Sequence, residues 1–286
     1  DVNGDGWLDI HVCRDASNNM DQRRNLLYIN NRDGSFSERA KEFGLDDPSF
    51  STQAYFFDMD QDGDLDLYLV NHPNDMRTAN TVKVSLGPRG EYMLARQDDF
   101  EYASDRLYRN EGGRFTDVTK AMGLLNAEFG LSAAIADLNS DLTPDIFVGN
   151  DYVGYDQLLI SGADKRWSNE AQQRLPHATF NSMGSDLADI NNDALTDIVC
   201  LDMTASDPYR YKTLVMSANH SKHETLLAVG LGAQFSVNAM HINHGDGSFG
   251  DVAHLAGMAY TDWSWSPLLA DLDNDGWKDL LVTNGF

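Results

Sequence analysis

The segment DLDNDGWKD, residues 271–279, is one of five copies of a nine-residue pattern with aspartate or asparagine at positions 1, 3, 5 and 9. The other copies are DVNGDGWLD from Asp1, DMDQDGDLD from Asp58, DLNSDLTPD from Asp137 and DINNDALTD from Asp189. Their starts lie 57, 79, 52 and 82 residues apart. This spacing predicts a repeat fold with a unit of about fifty residues, in which two units carry insertions of roughly thirty.

Each copy lies between two short apolar segments, such as SWSPLLA before the fifth copy and LLVT after it. Such β-prone runs predict strands, so that each loop closes a β-hairpin. Two further segments complete a unit, as DRLYRN from Asp105 and RFTDVT from Arg114 do in the second. Four short strands per unit are typical of a propeller blade. We therefore predict an all-β fold, a β-propeller of four-stranded antiparallel blades whose hairpin loops bind calcium.

Seventeen strands are predicted: three after the first loop, four in each of three complete units and two around the last loop. A closed propeller needs a multiple of four strands. We expect a single propeller domain over residues 1–286, truncated at both ends, from a ring of about seven blades. The insertions lie at about residues 71–105 and 202–235, where a binding function is expected. The second is predicted to contain a helix, on which His220 and His223 form a solvated polar face.

The loops carry the oxygen ligands that Ca²⁺ prefers, and position 7 can add a backbone carbonyl. Side chains spaced by two in a tight turn converge on one point, so up to five Ca²⁺ ions are predicted. The predicted ligands are Asp1, Asn3, Asp5, Trp7 and Asp9 in the first loop; Asp58, Asp60, Asp62, Asp64 and Asp66 in the second; Asp137, Asn139, Asp141, Thr143 and Asp145 in the third; Asp189, Asn191, Asp193, Leu195 and Asp197 in the fourth; and Asp271, Asp273, Asp275, Trp277 and Asp279 in the fifth.

EF-hands and metal-free Asx-turns are two other kinds of loop that are rich in aspartate. An EF-hand needs a glutamate at position 12, but that position is apolar in every copy: Val12, Leu69, Val148, Cys200 and Val282. Asx-turns without metal would explain one loop, but five acidic loops would then be self-repelling.

Position 6 of such a loop favours a residue with positive φ. Glycine fills it in the first, second and fifth loops, whereas Leu142 and Ala194 stand there in the third and fourth. The second and fifth loops also have four ligand carboxylates each. We expect these two loops to bind calcium most tightly.

The pattern D-x-[DN]-x-D-x-x-x-D between two strands resembles the FG-GAP or VCBS repeat of integrin α-subunit propellers and secreted bacterial proteins. The stretches NLLYINNRDGSF, DRLYRNEGGRF and MHINHGDGSFGDVAHLAGM, with TDWSWSPLLADLDNDGWKDLLVTNGF, resemble bacterial proteins that join this propeller to an ASPIC/UnbV domain. Cartilage acidic protein belongs to that group. The resemblance implies that calcium is structural, at one rim of each blade, while other loops bind ligands.

The net charge and the absence of known catalytic motifs reduce the number of functions that are compatible with the sequence. With 45 acidic and 21 basic residues, the net charge of −24 disfavours nucleic acids and anionic membranes as partners. The sequence contains no transmembrane run and no catalytic motif of the G-x-S-x-G, phosphate-loop or H-E-x-x-H type. We predict a non-catalytic binding or adhesion module, secreted, periplasmic or at the cell surface, that contacts calcium and a protein or glycan. The alternatives are an enzyme acting on extracellular polysaccharide and a structural scaffold beside a further domain.

Overall fold

The computed structural model describes residues 1–74, 81–95, 100–126, 128–162, 166–214 and 220–285. Contacts within it define two compact units. The first comprises Asp1–Asn74, Gln97–Gly130 and Ser161–Ser168, and the second comprises Asp75–Arg96, Leu131–Ile160 and Asn169–Phe286.

The secondary structure is mostly short strands. In chain order the strands are β1 (Ile10–Val12), β2 (Leu26–Asn30), β3 (Phe36–Glu38), β4 (Ser51–Phe57), β5 (Asp66–Asn71), β6 (Val84–Leu86), β7 (Tyr92–Leu94), β8 (Arg106–Asn110), β9 (Phe115–Asp117), β10 (Phe129–Ala136), β11 (Asp145–Asp151), β12 (Gln157–Ser161), β13 (Trp167–Asn169), β14 (Ala178–Thr179), β15 (Ser185–Ala188), β16 (Asp197–Cys200), β17 (Met203–Thr204), β18 (Gln234–Phe235), β19 (Ala239–Asn243), β20 (Phe249–Asp251), β21 (Asp262–Ala270) and β22 (Asp279–Asn284). The helices are α1 (Met20–Arg23), α2 (Ala40–Phe43), α3 (Phe100–Ala103), α4 (Thr119–Met122), α5 (Ala171–Arg174), α6 (Pro208–Leu214) and α7 (His220–Ala228).

The strands pair as antiparallel meanders of the kind that forms propeller blades. Three sheets have four strands, in the orders β4-β5-β8-β9, β10-β11-β12-β13 and β15-β16-β19-β20. The first loop is followed by the three-stranded sheet β1-β2-β3, and the last loop joins β21 to β22. All seventeen predicted strands are therefore present, and the all-β fold with four-stranded blades is confirmed. The last sheet also gains β17, a short strand from the second insertion that pairs with β21.

Both insertions contain secondary structure of their own. The first holds the hairpin β6-β7 and helix α3. The second holds α6 and α7, where a helix was predicted, and ends with β18, which runs parallel to β14. His220 and His223 both lie on α7, and His220 is largely exposed.

In the three four-stranded blades, the strand that follows the loop, β5, β11 or β16, is buried along its whole length. In β16 of the second unit, Ile198 and Cys200 pack into one hydrophobic cluster. Val199 and Leu201 pack into another, on the opposite side. Successive side chains of a strand point to opposite faces, so a strand buried on both sides must be apolar throughout. This explains the continuous apolar runs after the second, third and fourth loops, whereas β1 and β22 are partly exposed.

The end of each hairpin away from its loop is held by a buried side chain just before the third strand. In four blades this side chain accepts a hydrogen bond from the backbone N–H of a residue at or just beyond the end of the second strand. The pairs are Arg14 N to Asn25 Oδ1 at 2.9 Å, Asn71 N to Asp105 Oδ1 at 2.8 Å, Asn150 N to Asp156 Oδ1 at 3.0 Å and Asp202 N to Asn238 Oδ1 at 2.8 Å.

Candidate calcium-binding loops

All five loops share one internal hydrogen-bond scheme around the aspartate at position 1. Its carboxylate accepts the backbone N–H groups of positions 5 and 6, at 2.7 to 3.2 Å. The position-5 carboxylate accepts the N–H of position 7 in each loop, at 2.8 to 2.9 Å. These bonds fold the loop tightly around its first side chain.

The aspartate at position 9 fastens the loop to the blade. Its Oδ2 accepts the N–H of position 2 at 2.9 Å in every loop. In three blades its Oδ1 also accepts a backbone N–H from the asparagine that ends the third strand. These donors are Asn30, Asn110 and Asn243, at 2.9, 2.7 and 2.8 Å.

Those asparagines support the loops structurally, and the sequence pattern of the loops did not identify them. Their side chains extend the network, since the Asn110 amide donates to the Leu65 carbonyl of its own loop and to the Val2 carbonyl of the loop before it. The Asn243 amide does the same with Thr196 and Leu138. The available signal was the Asn at the end of the segments NLLYIN, DRLYRN and NAMHIN.

The loop backbone is left-handed at two positions. Position 6 has φ from 67° to 94°, as predicted, including Leu142 at 69° and Ala194 at 67°. Position 4 was not predicted, but it also has positive φ in every loop, from 60° to 67°: Gly4, Gln61, Ser140, Asn192 and Asn274. Asparagine tolerates this region better than most residues. Identical geometry on different side chains indicates that the loop shape follows from its hydrogen bonds.

Carboxylates converge in the two loops with four ligand carboxylates. Within the described residues, a group of three meets in the second loop, from Asp58, Asp60 and Asp66, with oxygens that all lie within 4.8 Å of one another. A group in the fifth loop comes from Asp271, Asp273 and Asp275 under the same limit. Oxygens that share a Ca²⁺ at 2.3–2.6 Å can be at most about 5 Å apart. Both groups therefore fit one such ion.

The other three loops have an asparagine at position 3, whose amide group partly offsets the negative charge that a cation would otherwise offset. Its Nδ2 donates to the position-5 carboxylate, from Asn3 to Asp5 at 3.2 Å, from Asn139 to Asp141 at 3.0 Å and from Asn191 to Asp193 at 2.9 Å. Asparagine in place of aspartate at position 3 lowers the negative charge of the loop by one, and its N–H group donates to the carboxylate at position 5. These loops thus contain less charge repulsion than the second and fifth.

The second loop contains an unsatisfied ligand oxygen. Asp60 Oδ1 is buried and, within the described residues, has no hydrogen-bond partner. The other oxygen, Oδ2, lies 3.4 Å from Arg109 Nε. Burial raises the pKa of the nearby Asp66 carboxyl to about 6. A divalent cation would satisfy the free oxygen and favour the ionised form of Asp66, so the residues present fit the ion.

The first loop is in contact with an arginine. Arg32 Nη2 lies 2.9 Å from Asp5 Oδ2, and this contact is the main cause of the lowered pKa of Asp5. The guanidinium would compete with a cation for that oxygen.

The comparisons with known proteins identify the repeat. The FG-GAP-like repeat family matches residues 1–69, 137–200 and 224–282, which together are more than half of the chain. The chain belongs to the FG-GAP-like repeat family. Each matched region contains at least one of the five loops. Repeats of this family form propeller-type modules that are typically extracellular and often bind other molecules.

The comparisons with curated proteins and with solved structures do not extend this identification. No curated protein matches the chain in sequence. A solved structure of an Agrocybe aegerita lectin, described as specific for non-reducing terminal N-acetylglucosamine, is similar over 98% of this chain and 76% of that one, with 14% identity and a TM-score of 0.35. In the described residues, no helix is long and apolar enough to cross a membrane. The association with an ASPIC/UnbV domain and the carbonyl ligands at position 7 stay predictions.

Proposed function

We propose that this FG-GAP-like chain is a calcium-stabilised extracellular binding module without catalytic activity, which contacts a protein or a glycan. The observation that carries the proposal is the meeting of three carboxylates in each of two loops, Asp58, Asp60 and Asp66 in one and Asp271, Asp273 and Asp275 in the other. Like charges this close disfavour their own ionisation unless a cation offsets them.

The ligand chemistry supports calcium over other metals. Every candidate side-chain ligand is a carboxylate or amide oxygen, which suits calcium, magnesium and manganese better than zinc or copper. Calcium accepts six to eight oxygens in a flexible arrangement, whereas magnesium demands a near-ideal octahedron. A short turn that offers side chains at positions 1, 3, 5 and 9 is better matched to the more tolerant ion.

Calcium bound in these loops would stabilise the folded state. The loop aspartates already hold the hairpin through backbone N–H groups, and position 9 ties it to the third strand. A bound ion would neutralise the remaining repulsion and stabilise the turn. At about ten times its Kd, each ion would add roughly 1.4 kcal/mol to the free energy of unfolding.

The proposal of binding without catalysis rests on the roles of the acidic groups. The loop carboxylates are engaged with their own backbone, and the buried Asp105 and Asp156 close the far ends of hairpins. The insertions, which the repeat itself does not need, are therefore the proposed binding surface.

Calorimetric titration of the chelator-treated chain with Ca²⁺ tests this proposal, with the melting temperature measured in calcium and in EGTA. We expect several binding events and a higher melting temperature in calcium. Titration with Mg²⁺ serves as the control and should give weaker binding. A chain that takes up no calcium, or melts at the same temperature in both buffers, would contradict the proposal.

A further inference from the structure

The second insertion contributes to a cavity of about 280 Å³ in the second unit. Its walls include the rings of Phe180, Tyr211 and Phe235, and its polar lining includes Gln234 and Ser236. Concave sites with aromatic walls and a few placed polar groups are typical of small-ligand sites, and this volume is near their lower limit. The lining contains no loop aspartate, so the cavity is distinct from the calcium loops.

Backbone pairing fixes the polar side of the cavity. Strands β14 and β18 run parallel, with Ala178 opposite Gln234 and Thr179 opposite Phe235. Gln234 is only 3% exposed, and its Nε2 donates to the Gly154 carbonyl. That bond identifies Oε1 as the acceptor end of the amide.

Two polar atoms of the lining lack partners. Gln234 Oε1 and Ser236 Oγ are buried, and in the part of the chain that the structure describes neither has a hydrogen-bond partner. Buried polar atoms are nearly always satisfied, because leaving one unpaired costs free energy of folding. Both residues line the cavity, so a small rotation of each side chain toward a ligand with hydroxyl donors would give these atoms partners.

One wall of the cavity is a fixed aromatic platform. Phe235 is 47% exposed, and the His223 ring is stacked on it with centroids 6.1 Å apart and an interplanar angle of 26°. The His177 ring meets it edge-on at 5.3 Å. These two contacts orient the ring, and the residue stays partly exposed in the cavity lining, where a ligand with an apolar face can contact it.

Among the residues that the structure describes, the lining of the cavity contains no acidic residue, and its titratable side chains besides Tyr211 are the imidazoles of His220 and His223. Lys222 Nζ lies 4.4 Å from the centroid of the Phe180 ring, so the chain's own ammonium occupies the position that a ligand cation would take. The net charge of −24 opposes binding of anions.

We propose that this cavity binds one neutral sugar residue of a glycan, with the C–H face of the sugar on Phe235 and hydroxyl groups that donate to Gln234 Oε1 and Ser236 Oγ once these side chains turn toward the ligand. A pyranose combines an apolar face with a rim of hydroxyl donors. The apolar face complements the aromatic ring of the lining, and the hydroxyl donors complement its two unpaired polar atoms. The inference rests on the proposed binding role and adds its ligand class and site. It is independent of the number of loops that hold calcium.

Saturation-transfer NMR of the full chain with a panel of methyl glycosides tests the inference, with ethanolamine and inorganic phosphate as charged comparisons. At least one glycoside should bind with a Kd on the order of 1 mM, as expected for about a dozen ligand atoms. Phe235→Ala should raise this Kd at least about tenfold, and Ser236→Ala about fivefold. Tyr209→Ala, which removes an exposed aromatic ring outside the lining from the same insertion, should not change it.

The outcomes separate this inference from the proposed function. Binding that needs Phe235 and Ser236 supports it. It is overturned if no glycoside binds, if the charged probes bind instead, or if binding is equal in both variants and the parent chain. The calorimetric calcium titration, made on the same samples, reports on the loops alone. Calcium uptake without sugar binding therefore contradicts only the sugar site, and sugar binding without calcium uptake contradicts only the calcium loops.

Discussion

The two ends of the blade hairpins place aspartate in opposite settings. At the loop end, several carboxylates lie close together in partly exposed turns, as Asp271, Asp273 and Asp275 do. At the far end, Asp105, Asp156 and Asp202 are each buried and accept two or more hydrogen bonds. Burial raises the pKa of Asp105 and Asp156 to about 6 and that of Asp202 to about 7.

If the proposed function is correct, the same residue type stabilises a blade in two ways. A single buried carboxylate is satisfied by the N–H and O–H donors of the chain itself, so it needs no ion. A cluster of carboxylates has more charge than its backbone donors can offset, so it gains from a cation. Substitutions at the far end should therefore act equally with and without calcium, whereas substitutions at position 3 of the loops should act mainly in calcium.

The largest effect is expected for Asp156→Ala at the far end. The carboxylate accepts the N–H of Asn150 at 3.0 Å, the N–H of Thr179 at 3.3 Å and the hydroxyl of Ser182. Its removal leaves buried donors unsatisfied and should lower the free energy of unfolding by about 3 kcal/mol. Urea denaturation should show the same loss in calcium and in EGTA. A loss confined to the calcium buffer would break the distinction between the two ends.

The double variant Asp60→Ala and Asp273→Ala tests the loop end. With calcium at about ten times its Kd, it should lower the free energy of unfolding by about 3 kcal/mol, because each site then contributes roughly 1.4 kcal/mol. In EGTA it should change the melting temperature little. Asp64→Ala is the matched control, since it removes a charge from the same loop at a position where the predicted ligand is the backbone. Equal losses in both buffers would exclude calcium as the cause.

A pH effect is expected from Asp202. Its folded pKa of about 7 lies above the ordinary value of about 3.9, so the folded state holds its proton more tightly than the unfolded state does. The resulting stabilisation is complete below about pH 4 and is lost as the pH rises to 7. In EGTA, Asp202→Asn should reduce the loss of stability between pH 5 and pH 8 by roughly 2 kcal/mol. Parallel pH profiles of the variant and the parent chain would contradict this assignment.

The sequence predicted the strands and loops because they follow from local patterns. Asp at positions 1 and 9 and the apolar runs after the loops each determine structure within a few residues, and all seventeen strands are found. The role of Asn110 was missed because its bonds reach residues 45 and 108 positions away. The unsatisfied atoms of Gln234 and Ser236 were missed for the same reason, since burial depends on the packing of an insertion that has no repeat.

The smallest effect concerns the loops without glycine at position 6. Leu142 and Ala194 have φ of 69° and 67°, a conformation that costs a non-glycine residue about 1 kcal/mol, part of which glycine loses again through the freedom of its unfolded state. Leu142→Gly and Ala194→Gly should each stabilise the chain by roughly 0.5 kcal/mol in EGTA, measured by thermal denaturation. Gly276→Ala is the reverse control, because φ is 90° there and no atom lies within 4 Å of the added carbon. It should destabilise through the backbone alone. If neither glycine variant gains stability while Gly276→Ala loses it, Leu142 and Ala194 are not strained in their loops and this prediction is wrong.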